Sequence, residues 1–349
     1  MSPAAFHRAR LETPTIIVIA MLAVVPECET PGPDDLDTAP VAKVPDRPNT
    51  APIAKDGCPA EACGFNSPLL ADSLFGELDL DGRPNARGMA IVEVLAPDGR
   101  PFFLDIRDGA LVGIEPGATE VSLRGSALVD AEISIRRARG HGLVSGFTVR
   151  VQAVQPVAHT SDQPGSIPGY RMAYALSSEP QIWHPMCPDA ESVLVVAGER
   201  YDERTLAIHS DAGGRWFRLA CASDMLGKSR RMSYDPTLSA DHPYYTSVGQ
   251  RRATMAMLGA DYCGTGQRFT RPGTALYWQN RAGWMQVGAP PDGTAAVEAG
   301  WDENGATCLN SPRLGARYTR ADIADACGRE IVWCTDEILA QSEWVTWLP

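Results

Sequence analysis

Eight cysteines, Cys58, Cys63, Cys187, Cys221, Cys263, Cys308, Cys327 and Cys334, run through most of this 349-residue chain, and a ninth, Cys28, stands near its start. In an oxidising compartment an even set of this kind closes up to four disulfides, which bounds the folds available. Roughly a hundred pairings are open in principle. Proximity favours Cys58 with Cys63 and Cys327 with Cys334, leaving Cys187 with Cys221 and Cys263 with Cys308. Zinc requires Cys-x2-Cys or closely paired histidines. The spacings here are Cys-x4-Cys and Cys-x6-Cys with no histidine beside them, so no metal is expected.

The N-terminus indicates the compartment. His7, Arg8 and Arg10 precede an apolar run over residues 15–26, the pattern of a secretory signal peptide. That run is too short for a membrane span, which needs about 20 apolar residues. Cys28 follows it and is the candidate lipidation site of a lipoprotein, although Glu27 occupies the place where lipoprotein cleavage prefers a small residue. Residues 1–28 are therefore read as an export signal or lipoprotein-like segment. Residues 29–57 are rich in proline and acids and poor in large apolar side chains, so they read as a disordered tether.

The remaining stretch is long enough for one large or two small domains. The net charge is −12, with 43 acidic against 31 basic residues, which repels phosphate backbones and argues against a nucleic-acid partner. Arg136-Arg137-Ala138-Arg139 and Lys228-Ser229-Arg230-Arg231 read as solvated faces.

Strand and turn signals dominate residues 58–160. Residues 90–95 and 101–106 flank Pro97-Asp98-Gly99 and predict a hairpin. Further short strands are expected at Val121–Leu123, Ala131–Ile135 and Gly146–Ala153. Asp79-Leu80-Asp81-Gly82 lacks the closing glutamate of a calcium loop and reads as a turn. The polar stretch 156–170 is either a domain boundary or a long hairpin connection. Beyond it, residues 170–349 read as a mixed region. Glu191–Ala197 and Thr205–His209 are expected to pair, with Trp216–Ala220 as a third strand. A helix is predicted from Asp241, with Pro243 in its first turn, to Leu258, with Tyr244, Val248, Met255 and Leu258 as its core stripe. Thr319 to Asp322 makes a capping box for a helix ending at Cys327-Gly328, and Thr335 starts another. The fold class is α+β: a β-rich N-terminal part of short antiparallel strands, then a C-terminal part with a few short helices, all disulfide-stapled.

Ala260-Asp261-Tyr262-Cys263-Gly264 resembles the ADYC domain, an uncharacterised family of exported proteins found mainly in myxobacteria and their relatives. The resemblance extends to Cys63–Pro68, Phe75–Asn85, Phe217–Cys221 with Lys228, and Ala299–Leu309, so it covers most of residues 58–315. The family pattern places a cysteine where this chain has Ser229 and another near Thr254. Their joint absence implies the loss of one disulfide and a structural role for those that remain. The resemblance implies no activity, so catalytic residues are unknown and no cofactor is expected.

Two readings of function follow. The first is an exported, cell-envelope or extracellular binding or structural module of unknown ligand, without a membrane span in the mature chain but with a lipid anchor if Cys28 is acylated. Tyr277, Trp278 and Trp284 are candidate contact aromatics, although packing is the commoner fate of such residues. The second is a secreted hydrolase with Cys263 as nucleophile, His242 or His184 as base and Asp261 nearby. Oxidation of an exported thiol weighs against it. Ser223, Ser229 and Ser233 have no Gly-x-Ser-x-Gly context and read as capping or exposed residues. Gly264-Thr265-Gly266 lacks the lysine of a phosphate loop. A carboxylate-pair glycosidase would need separations that sequence does not give.

Overall fold

Val193-Leu194-Val195-Val196-Ala197 is buried at every position, which a strand can satisfy only when both faces of its sheet are covered. That is its place here. The computed structural model describes residues 68–349 except 71–72, 139–143, 189–190, 203–204, 206, 212, 272 and 288–295, so Cys28, Cys58, Cys63 and the tether lie outside the described residues.

The chain opens with a short pair, β1 (Leu69–Leu70) and β2 (Ser73–Leu74), followed by β3 (Glu77–Asp79) and β4 (Met89–Leu95). Three strands, β5 (Phe103–Arg107), β6 (Ala110–Ile114) and β7 (Val121–Arg124), make a small antiparallel sheet. Then come β8 (Glu132–Ala138), the long hairpin of β9 (Val144–Ala158) and β10 (Ser166–Leu176), β11 (His184–Pro185) and β12 (Val193–Ala197). β13 (Glu199–Tyr201) pairs with β14 (Ile208–Ser210), and β15 (Trp216–Cys221) returns to the main sheet. That sheet is antiparallel in the order β3-β15-β12-β10-β9-β8-β4, with β11 beside β10.

Helices α1 (Met225–Arg231) and α2 (Val248–Gly259) follow. A five-stranded sheet closes the fold, in the order β17-β16-β20-β18-β19, from β16 (Tyr277–Asn280), β17 (Gln286–Val287), β18 (Ala296–Asp302), β19 (Gly305–Leu309) and β20 (Trp344–Leu348). Between β19 and β20 lie α3 (Arg320–Cys327) and α4 (Asp336–Gln341). The protein is therefore α+β with strands in the majority.

Alternation along the strands builds two cores. Val193, Val195 and Ala197 of β12 join Phe217 and Leu219 of β15, Tyr170 of β10 and Leu104 and Leu111 of the small sheet. The Tyr170 hydroxyl accepts the Leu111 N–H at 2.8 Å, tying the small sheet to the large one. On the opposite face, Val196 and Ala220 meet Met225 and Leu226 of α1, Met255 and Met257 of α2, and Trp301 and Trp344 of the last sheet. α2 is thus enclosed between helix and sheet, and its residues from Ala253 to Gly259 are all buried.

Several expectations need correction. The turn at Pro97-Asp98-Gly99 forms, with Gly99 N–H donating to Ala96 O, and the hairpin it makes is short: Ala96 N–H donates to Arg100 O and Phe102 N–H to Val94 O. β4 and β5 share only the Leu95–Pro101 bridge before β4 joins β8 and β5 joins β6. The partner of β14 is β13, because β12 is taken by β10 and β15. α2 starts at Val248 rather than near Asp241, since Ser247 and Gln250 cap it reciprocally. Tyr244 consequently lies outside the helix and Val248 is exposed. The polar stretch 156–170 contains the β9–β10 hairpin connection. Asp79 holds a plain turn, accepting the N–H groups of Asp81 and Arg83.

Candidate binding cleft at the Cys263 turn

α2 ends with Ala260 in the left-handed region (φ +49°), and the next residues turn sharply back. Asp261, buried, makes that turn: its carboxylate accepts the N–H groups of Thr265 (3.2 Å) and Gly266 (2.6 Å). Burial pushes its pKa up, against the pull of the N–H groups from Cys263 to Gly266. The Tyr262 ring is fully buried and stacks on Trp301 at 5.1 Å, while its hydroxyl donates to Glu298 Oε1 (2.7 Å) and accepts the Arg313 N–H (2.7 Å). Arg313 pairs with Glu298 and donates to the Met257 carbonyl at the end of α2. The pair is enclosed, with side-chain exposures of 4 and 0%. Cys263 is bonded to Cys327 at the end of α3.

A second turn, between β18 and β19, lies against the first. A Cβ on Gly264 (φ +71°) would sit 2.2 Å from the Asn304 carbonyl oxygen, and one on Gly305 (φ +104°) 2.6 Å from the Gly264 nitrogen. Both positions need glycine for the two backbones to meet. Asp302 Oδ1 accepts the Asn304 N–H at 2.7 Å. Between the turns and Arg329 opens a cleft of about 470 Å³, lined by Cys263, Gly264, Asp302, Asn304, Ala306, Thr307 and Arg329. Carboxylate, amide, hydroxyl and guanidinium together suit a polar guest. The lining contains neither a free thiol nor an imidazole. A second cavity, inside the N-terminal core, is apolar and only about 10 Å³, too small for a ligand.

Among the described residues the disulfides are Cys187–Cys221, Cys263–Cys327 and Cys308–Cys334. The expected pairs Cys327–Cys334 and Cys263–Cys308 are not formed. α3 delivers Cys327 to the Cys263 turn, whereas Cys334 lies beside β19, its N–H donating to Asn310 Oδ1 and Val332 O accepting from Leu309 N–H. Bonding of Cys263 removes the nucleophile of the cysteine-hydrolase reading. Its two bases are elsewhere: the His184 ring packs at a tilt against Tyr174 at the β10–β11 ladder, and that of His242 against Tyr244. Among the described residues no group of three or more His, Cys, Asp or Glu is placed to hold a metal ion.

Two of the three aromatic candidates pack, and Tyr277 is half-buried in β16. Trp284 lies against Tyr234 and Tyr244, and Trp278 is half-buried on the second core. Of the serines read as capping or exposed, Ser229 and Ser233 are buried. Ser233 meets Ser161 and His159, an arrangement with no signal in the sequence. The cleft residues Asp302 and Asn304 lie in a segment that carried the family resemblance, but nothing marked Arg329.

A family model described as the ADYC domain matches residues 125–315, more than half of the chain. The chain belongs to the ADYC-domain family. No curated protein and no solved structure matches it. The ADYC tetrapeptide thus has a structural meaning at each letter: helix stop, turn clamp, buried stacking ring and disulfide. Ser229 on α1 and Thr254 on α2, where the family resemblance expects cysteines, are buried on two helices packed together. Thr254 is engaged instead by the Trp344 indole N–H at 2.9 Å.

Proposed function

We propose that this ADYC-domain protein is exported and works at the cell envelope or outside the cell as a binding or structural module, with the cleft beside the Cys263 turn as its binding face. The observation that carries the reading is the set of three disulfides among the described residues, since such bonds persist in oxidising compartments. Each stabilises a fold by about 2–4 kcal/mol where its geometry is unstrained. The apolar run at residues 15–26 supports export through a cleaved signal, and Cys28 offers a lipid anchor. The polar lining of the cleft favours a hydrogen-bonding ligand over a lipid.

Expression of the full chain in a bacterium with an oxidising periplasm, followed by fractionation and thiol titration of the unfolded, unreduced chain, tests this. Extracytoplasmic protein without free thiols at the eight cysteines from Cys58 to Cys334 is the expected result. Cytoplasmic protein with reduced cysteines would overturn it. Labelling with an alkyne fatty acid, compared between the natural chain and Cys28→Ser, reports the anchor separately.

A further inference from the structure

We propose that the Cys263–Cys327 bridge is a thiol–disulfide exchange site, opened by a dithiol reductant that enters through the cleft. Exchange requires a thiolate to reach a disulfide sulfur, so access sorts bridges of similar chemistry. Cys187 and Cys221 are 3 and 2% exposed, and the third described bridge joins a wholly buried Cys308 to a partly buried Cys334, which is not part of the cleft wall. Cys263 and Cys327 are both only partly buried, and Cys263 forms part of the cleft wall.

Charge favours the same place. Arg329 lies on the cleft wall two residues beyond Cys327, and a guanidinium stabilises arriving and departing thiolates. Asp302 is the carboxylate on that wall and its Oδ1 accepts the Asn304 N–H, so Arg329 acts against one neighbouring anion. Both partners also have independent support. Asp261 holds the Cys263 turn through backbone N–H groups, and α3 keeps its Thr319–Asp322 capping box, its buried Ile323 and the bond from Arg320 to the Ile331 carbonyl. Opening the bridge therefore loosens α3 without dismantling either core.

The step balances as follows. A thiolate of the reductant attacks Cys263 Sγ, forming a mixed disulfide, and Cys327 leaves as a thiolate that takes a proton from solvent. The second thiol of the reductant loses its proton and attacks its own sulfur in the mixed disulfide, and Cys263 leaves and is protonated. Two electrons pass to the protein and the reductant ends as its disulfide. The site is independent of the export reading, because it concerns which bond opens first wherever the protein resides.

The test is graded reduction of the folded, full-length protein with dithiothreitol, timed alkylation and peptide mapping, with circular dichroism on the same samples. Cys263 and Cys327 are expected to alkylate at least about ten-fold faster than the other four described cysteines, with the spectrum unchanged. Equal or faster opening of another described bridge, or opening only with loss of the native spectrum, would sink the proposal. The role of Arg329 is read from the ratio of rates with anionic mercaptoethanesulfonate and neutral 2-mercaptoethanol. Arg329→Gln should lower that ratio about three-fold or more, a change that general loosening would not produce. An unchanged ratio removes Arg329 from the proposal's electrostatics and overturns that part.

Discussion

The Ser233 hydroxyl lies 3.4 Å from Nδ1 of His159, and the serine holds a left-handed backbone with φ +70°. Ser161 Oγ is bonded to the same hydroxyl. Around this contact the β9–β10 connection is fastened to the second half of the molecule: Thr160 N–H donates to Arg231 O (2.8 Å) and Asp162 N–H to Trp284 O (3.0 Å). A residue just past a helix end in this conformation is usually glycine. Serine stands here because its buried hydroxyl fills a place between two other polar groups.

Substitution at Ser233 separates backbone strain from hydrogen bonding. Ser233→Ala keeps the left-handed conformation and removes the hydroxyl, at an expected cost of about 1–3 kcal/mol. Ser233→Gly loses the same bonds but relieves the backbone, so it should be about 1 kcal/mol more stable than the alanine variant. Urea unfolding of both measures the difference. An alanine variant as stable as the glycine one would refute the strain assignment.

His159 should make the protein acid-sensitive. Burial, and then the nearby Arg230 guanidinium, hold its imidazole below the ordinary 6.5, against the pull of the Arg231 backbone. The unfolded chain therefore takes up the proton first. Stability from neutral His159 is complete above about pH 6.5 and is lost as the pH falls below it. His159→Gln should flatten melting temperature against pH below about 6.5. Parallel profiles for the natural chain and the variant would show that another group titrates.

Asp224 should act in the opposite sense. It stands at the N-cap position of α1 and accepts the Cys221 N–H at 3.0 Å. Burial, with help from Glu191, pushes its pKa from 3.8 up to about 7, opposed by the Cys221 N–H and Lys228. Between those values the folded state holds the proton more tightly, so stability declines as pH rises from about 4 to about 7 and levels off above. Asp224→Asn should be more stable than the natural chain at pH 8 by about 1 kcal/mol, after discounting for solvent around a half-buried group, and similar at pH 4. Thermal melts at the two pH values decide it, and an equal difference at both would contradict the linkage.

What the sequence disclosed was local. The Thr319–Asp322 box, the left-handed Gly328 and the Thr335 cap appear where residue chemistry alone places them, because each is settled within one turn. The start of α2 carries two competing local signals, Asp241 with Pro243 and the Ser247–Gln250 capping box, and the helix begins at the second. Disulfide partners were misjudged for a related reason. Cys327 and Cys334 are near in sequence, but Gly328 ends α3 and sends the chain away towards β19. The Cys263 turn was legible as a motif. Its cleft was not, since the opposite wall comes from Asp302–Thr307 and Arg329, which meet it only in the folded chain.

The buried pair beneath that turn gives the sharpest test of what the family motif does. Glu298 is fully buried, with Arg313 donating to it at 3.1 Å and the Tyr262 hydroxyl at 2.7 Å. Glu298→Gln leaves the Arg313 charge without its counter-ion and should cost about 3–5 kcal/mol, whereas removing both charges is often far milder. Arg313→Met alone also releases the Met257 carbonyl, so its cost includes a frayed end of α2. The Glu298→Gln/Arg313→Met double variant should therefore lose clearly less than the sum of the single changes, by more than about 1 kcal/mol. A double-variant cycle by denaturant unfolding measures this coupling. Costs that add within about 0.5 kcal/mol would mean that each side chain acts alone, and that Tyr262 is held by stacking on Trp301 rather than by the ion pair.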